Sequence, residues 1–368
     1  MSGARFDARV ARLRDVMREN GLDAIAIAPG PTFQYITGAM FKLLERPKVL
    51  LVPLIGLPVM LLPTLEAERW KTLGLPTELV TWRDETGFAD AFAELARQAP
   101  ATAVGIESLA LRYQEFAALA RALPGARFVD VQAGITSLRA AKGDDELALI
   151  RRAIAYSEAA LEKTFATAKV GMTESEVQSV LFGALLEHPL REVPECVCVA
   201  GTATAQPHGR ARADYRLKRG DALLIDFAIR CDGYYADITR TVFLETVSDE
   251  HRAIYDTVLR ANELGRRIAR PDMTAGELDD QVLKVLEASP YGRFIMHKTG
   301  HGIGLDVHEP PMIMRGNMQP LVPGNVITIE PGLYDPTQLG VRIEDDVLIT
   351  QDGAETLTSF PRDLMIVG

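Results

Sequence analysis

The sequence predicts two domains, a smaller N-terminal α/β domain followed by a larger α+β domain built from two similar halves. The chain has 368 residues, more than one hydrophobic core usually serves. Over its first third, short apolar runs alternate with amphipathic helical patterns, which is how an α/β layer reads. Further on, GMTESEVQSVLFGALLE and DMTAGELDDQVLKVLE repeat one helix-start pattern 101 residues apart. Self-similarity at that scale indicates duplicated structure.

Taken in order, Phe6, Val10, Leu13 and Met17 mark one face of a first helix, which Asn20-Gly21 stops. DAIAIA follows as a strand, and Gly30-Pro31 as a turn. Val49 to Pro63 is the longest apolar stretch, with 15 residues and three prolines. A membrane span needs about 20 apolar residues, so this stretch reads as two buried strands around Gly56. Helices are expected near 87–98 and 113–122, beside the strands VGIE and RFVDV. The pattern breaks near Ala133 to Asp145, and a long helix opens with Leu147, Ile150, Ile154 and Leu161 at apolar positions. The boundary is placed there, giving domains 1–135 and 136–368. Residues 1–135 hold no cluster that reads as catalytic, so that domain is assigned to substrate gating or subunit contact.

Composition narrows the function classes. A formal charge of -10 argues against nonspecific binding to nucleic acid or to an anionic membrane, where a basic face is needed. The start, MSGARFDARVARLRDVM, lacks the apolar core of a signal peptide, so no export is expected. Three cysteines, Cys196, Cys198 and Cys231, are too few for a disulfide scaffold and point to a reduced, cytoplasmic setting. Cys196-Val197-Cys198 reads as strand filler, because two thiols without a second pair are a weak zinc signal.

Chemistry concentrates in the second half. Asp226 interrupts the apolar run LLIDFAI, and Glu330 ends the strand-like VITIE. Together with Asp237, His301 and Glu344 they form four carboxylates and one imidazole, several of them in apolar surroundings. Uncompensated, each buried charge would cost on the order of several kcal/mol. Two divalent cations would cancel four negative charges, and hard oxygen donors plus one imidazole suit Mn, Co or Zn. Asp232-Gly233 is a two-residue hairpin signal. Pairing Cys231 with Tyr234 sets Asp226 opposite Thr239, with Asp237 as its diagonal neighbour roughly 7 to 8 Å away. GVRIEDDVLIT, read as one strand, puts Arg342 and Glu344 on one face and Val341 and Ile343 on the other. Arg342 is thereby placed to steady a ligand or a substrate. Asp345 and Asp346 read as solvated strand-end charges.

The repeat relates these residues. In each half a Met-Thr pair opens a helix in a capping-box arrangement, Thr173 with Glu176 and Thr274 with Glu277. Asp226 follows Thr173 by 53 residues and Glu330 follows Thr274 by 56, while His208 and His308 follow by 35 and 34. Each half is expected to supply a helix, a histidine, and two strands with one acid apiece, around a pseudo-twofold axis. HKTGHGIGLDVHEPP clusters three of the six histidines, His297, His301 and His308, in a Gly-rich setting. His297 reads as an outer or packing residue, and His188 and His251 as surface helix residues.

From about Leu138 to Gly368 the chain resembles the pita-bread metallopeptidases, and with its N-terminal domain it is similar to the Xaa-Pro peptidases, prolidase and aminopeptidase P. The motifs that carry the resemblance are LLIDFAIRCDGYYADITRT, TGHGIGLDVHEPP, TIEPGLY and VRIEDDVLIT. It implies a pita-bread, creatinase/aminopeptidase-like catalytic domain behind a creatinase-N-like domain. It also implies two divalent ions per subunit, with Asp237 and Glu344 bridging, Asp226 completing one ion, and His301 with Glu330 completing the other. The implied activity is exopeptidase hydrolysis of Xaa-Pro bonds in proline-containing di- or oligopeptides, by a dipeptidase or an aminopeptidase, through attack of a metal-bridged hydroxide. Glu330 would accept the proton from the water, and His308 would hydrogen-bond the tetrahedral intermediate. His208 would hold the substrate backbone or the proline carbonyl. Thr239 and Arg240 are outer-shell candidates, and Arg342 either joins them or grips a substrate carboxylate. A homodimer is implied by the resemblance alone.

Two other classes share the fold. One is a metal-dependent hydrolase or lyase that is not a peptidase, and the other is a catalytically silent binding protein. An intact ligand set counts against the silent reading. Methionine aminopeptidase generally lacks the extra N-terminal domain.

Overall fold

In the computed structural model, which describes residues 3–190 and 194–368, the chain divides into two compact units, Met1–Arg139 and Ala140–Gly368. The first unit is a six-stranded mixed sheet with helices. Its strands run in the order Glu78–Trp82, Val59–Pro63, Val49–Pro53, Ala24–Ile27, Ala103–Ile106, Arg127–Asp130. Val49–Pro53 and Val59–Pro63 pair antiparallel on either side of Gly56, whose φ of 106° suits glycine. Phe6, Val10, Leu13 and Met17 are buried along the helix Gly3–Asn20. Gly30-Pro31 opens a short helix, Pro31–Thr37, rather than a simple turn, because proline at the first helical position loses no hydrogen bond.

The second unit has the pita-bread α+β architecture, in which two packed helix pairs alternate along the chain with largely antiparallel sheets. The helices Asp144–Thr167 and Glu174–Leu185 precede the strands Cys196–Ala200, Ala222–Cys231 and Tyr234–Leu244. The helices Asp249–Ile268 and Ala275–Glu287 precede a five-stranded sheet in the order Glu309–Ile313, Gly300–Gly302, Val326–Ile329, Asp345–Ile349, Ala354–Thr356. Both second helices start in a reciprocal capping box. Thr173 Oγ1 accepts from the Glu176 N–H while Glu176 accepts from the Thr173 N–H, and Thr274 and Glu277 repeat the exchange. Each threonine also forms an isolated bridge, to Arg216 and to Pro320 respectively. Phe243, Tyr255, Val282, Ile329 and Val341 lie in one buried cluster of this unit.

The halves differ in their acid-bearing strands. Ala222–Cys231 and Tyr234–Leu244 form one long hairpin, whose turn residues Asp232 and Gly233 have φ of 49° and 98°. GVRIEDDVLIT, by contrast, is not one strand. Leu339–Arg342 pairs with Gly332–Asp335, and Asp345–Ile349 pairs with Val326–Ile329. Glu344 falls at the change of sheet, so strand alternation does not set its direction. The Glu344 N–H donates to Thr239 O at 3.2 Å, tying that junction to the hairpin.

Candidate metal centre

The hairpin register is Cys231 with Tyr234, Asp226 with Thr239 and Ala228 with Asp237, so Asp226 and Asp237 stand as diagonal neighbours on one face. Asp237, His301 and Glu344, all buried, bring ligand atoms within 4.8 Å of one another. His301 Nε2 lies 3.3 Å from Glu330 Oε1 and 4.0 Å from Asp237 Oδ2. Glu344 Oε2 accepts from Thr239 Oγ1 at 2.6 Å. Asp226 meets the nest from the other strand of the hairpin and forms an ion pair with Arg342.

The tautomer of His301 shows what this arrangement needs. Its Nδ1 lies 3.0 Å from the Gly302 carbonyl oxygen, which can only accept, so Nδ1 carries the proton. Burial and then the neighbouring His308 push the imidazole pKa down to about 3, keeping the ring neutral. A bare Nε2 lone pair therefore faces the carboxyl groups of Glu330 and Asp237. Burial first, and then repulsion with Asp226, Asp346 and Glu330, hold the Asp237 carboxyl well above the usual carboxylate range. Glu344 is raised for the same first reason and by Asp237. Burial pushes Glu330 up to about 7, against the opposing charge of Arg342. One proton relieves only part of such a nest, whereas divalent cations match every donor in it. The donor set fits a hard or borderline divalent ion, and Asp237, His301 and Glu344 would hold it, with Glu330 beside His301 and Asp226 turned to Arg342.

The raised carboxyls carry a sign that stability can read. A folded pKa above the unfolded one stabilises most below the unfolded value, and that contribution is lost as pH rises through the folded value. Metal-free protein is therefore expected to lose stability as pH rises from about 4.5 to about 7, where Glu330 ionises. Melting of chelated wild type and of Glu330→Gln across that range checks this: the variant should show a flatter slope, and equal slopes would refute the assignment. Adding a dication should restore the lost stability and release protons.

Arg342 is 4% exposed, and its donors go to Asp226, to Thr239 Oγ1 at 3.1 Å and to Tyr334 Oη at 2.6 Å. It steadies Asp226 and has little left to grip a substrate carboxylate. His297 Nε2 extends the chain, lying 2.7 Å from Tyr334 Oη. Arg240, fully buried, donates to the Glu344 carbonyl and to Asp345. His208 and His308 line one cleft of about 1020 Å³ with Asp226 and Asp237, and the His308 ring meets His301 edge-on at 4.2 Å. His188 stacks on Tyr156 just beyond its helix, and His251 is half-buried against Phe243. The three cysteines are free, with Cys196 and Cys198 on one strand.

Asp345 and Asp346 correct the sequence reading, since both are fully buried rather than solvated. Asp345 collects Arg240, Arg362, Asn262 and Thr358, and Asp346 Oδ2 accepts the Asp237 N–H at 3.2 Å. Three consecutive acids inside an apolar run were the available signal. A strand end next to charge is usually wet, and only the change of sheet at Glu344 puts all three inside.

This fold around this nest defines a pita-bread metallopeptidase, and comparison with known proteins agrees. Residues 148–351 match the model of metallopeptidase family M24, and residues 9–141 match that of the creatinase/prolidase N-terminal domain. The chain belongs to metallopeptidase family M24. It is 32% identical to the Xaa-Pro dipeptidase of Pyrococcus horikoshii, over 98% of this chain and 99% of that one. It is also 32% identical to a putative dipeptidase, YkvY, of Bacillus subtilis, over 98% and 99%. Among solved structures, the Xaa-Pro dipeptidase from Bacillus anthracis superposes with a TM-score of 0.91 at 28% identity, covering 98% of this chain and 100% of that one. No helix among the described residues is long and apolar enough to cross a membrane.

Proposed function

We propose that this chain is an exopeptidase that hydrolyses Xaa-Pro bonds in proline-containing di- or oligopeptides, using two divalent metal ions held by Asp226, Asp237, His301, Glu330 and Glu344. The observation that carries the reading is the buried cluster of Asp237, His301 and Glu344, with His301 Nε2 3.3 Å from Glu330 Oε1. Family membership and relatives named as Xaa-Pro dipeptidases support the substrate class.

When bound, the ions supply Lewis acidity and lower the pKa of water. Asp237, Glu344, Asp226, His301 and Glu330 would hold them, with Asp237 and Glu344 shared between the two. Glu330 accepts the proton of the attacking water, a role that needs it ionised. His308 donates a hydrogen bond to the developing tetrahedral centre, and His208 orients the substrate backbone. Thr239 holds Glu344 and Arg342 holds Asp226, so neither acid has to be ordered by substrate. The first unit gates the substrate or makes the subunit contact of a cytoplasmic homodimer.

Chelated protein given Mn is expected to cleave Ala-Pro, Ala-Pro-Xaa tripeptides, or both. Cleavage of the dipeptide alone makes it a dipeptidase, cleavage of the tripeptide makes it an aminopeptidase, and no cleavage of either overturns the reading.

A further inference from the structure

The cleft that holds His208, His308, Asp226 and Asp237 also carries two guanidinium groups. Arg230 lies over the Tyr235 ring, 5.7 Å from its centroid. Arg210 is exposed and, among the described residues, makes no hydrogen bond or ion pair, not even with Glu195, which lines the same cleft. Its position is nevertheless held. Two residues along, Arg212 clamps the segment through Nε at 2.9 Å and Nη2 at 2.5 Å to the buried carboxylate of Glu174, and its guanidinium lies 3.9 Å from the Tyr215 ring centroid. On its other side, the Gly209 N–H donates to Gln206 O at 3.0 Å. Arg210 therefore stands two residues from His208 on a tethered segment, within about 7 Å along the chain.

A cleft dominated by carboxylates repels an anionic ligand unless some cation is left to receive it. Arg342 is committed to Asp226, whereas Arg210 lines the cleft beside His208 with its guanidinium exposed. In a dipeptide the terminal carboxylate lies three covalent bonds from the scissile carbonyl carbon, so a substrate engaged at the nest presents that charge close to His208. A planar guanidinium takes a carboxylate in a bidentate pair.

We propose that Arg210 binds the free α-carboxylate of the residue that follows the scissile bond, so that this cleft prefers dipeptides over amidated or extended peptides. The proposal rests on the Xaa-Pro reading above. The ligand class is a peptide C-terminal carboxylate, and Arg210 is a specificity residue rather than a catalytic one.

The test is kcat/KM of the Mn-loaded enzyme for Ala-Pro, Ala-Pro-amide and Ala-Pro-Ala-amide, in wild type, Arg210→Ala and Arg210→Lys. Wild type is expected to prefer Ala-Pro over its amide by about tenfold or more, the usual scale for a hydrogen bond to a charged group. Arg210→Ala should bring that ratio close to one through KM for Ala-Pro, and Arg210→Lys should keep part of it. A wild-type enzyme without the preference, or a preference that survives Arg210→Ala, overturns the role of Arg210 alone. Failure of wild type to cleave any of the three peptides removes the Xaa-Pro reading, and the proposal with it.

Discussion

Asp237→Ala and Glu344→Ala are each expected to abolish metal pairing and peptidase activity together. Both carboxylates lie in the buried cluster with His301, where Thr239 Oγ1 donates to the Glu344 carboxylate and the Asp237 backbone N–H donates to Asp346. Losing an outer partner of a ligand typically costs about 10- to 100-fold in metal affinity or activity, and losing a bridging ligand should cost more. The fold should survive, because each substitution removes a carboxyl that burial and like charge already disfavour. Metal-free Asp237→Ala is thus expected to melt at or above metal-free wild type, while elemental analysis finds fewer ions per subunit under saturating Mn. Full turnover in either variant would refute the bridging roles.

Asp345→Ala is expected to produce the largest loss of stability. Burial alone would raise this carboxyl, yet Arg240 and Arg362 hold it well below its usual range. Its two oxygens accept from Arg240 Nη2 at 2.8 Å, Thr358 Oγ1 at 2.7 Å, Arg362 Nε at 2.9 Å and Asn262 Nδ2 at 2.9 Å, with Arg266 at 3.6 Å. Removing it strands the guanidinium groups of Arg240 and Arg362, which among the described residues pair with no other carboxylate. Breaking one side of a buried ion pair costs about 3 to 5 kcal/mol, which lowers the melting temperature by on the order of 10 °C in a unit of this size. Because the folded pKa is depressed, this stabilisation is present above the ordinary aspartate value and is lost as pH falls below it. The thermal melt of Asp345→Ala at neutral pH checks the claim. A shift of a degree or two would mean that the hub is dispensable. Metal affinity should fall as well, since Arg240 also holds the Glu344 carbonyl.

The hairpin and the helix starts that frame the site are legible in the sequence. Asp232-Gly233 set the hairpin register, and with it the opposition of Asp226 and Thr239, because a two-residue turn with positive φ leaves one pairing. Thr173 and Thr274 announced their helices, because a capping box is made within four residues. GVRIEDDVLIT reads as one strand and is two. Alternation treats GVRIEDDVLIT as continuous, and nothing local marks the point where it leaves Gly332–Asp335 for Val326–Ile329. The burial of Asp345 and Asp346 escaped for the same reason.

The sequence by itself determined the helix starts, the hairpin register and which residue types must gather, since each of these depends on backbone preferences and side-chain periodicity within a few residues. Only the tertiary structure decided which face of Glu344 meets His301, that Arg342 serves Asp226, and that Asp345 is the anchor for Arg240 and Arg362. Arg240 and Asp345 are 105 positions apart in the chain, and Asp226 and Arg342 are 116 apart. Whether a charge is solvated or buried with a partner at such a separation is set by how sheets and helices close around it, and no local pattern encodes that closure.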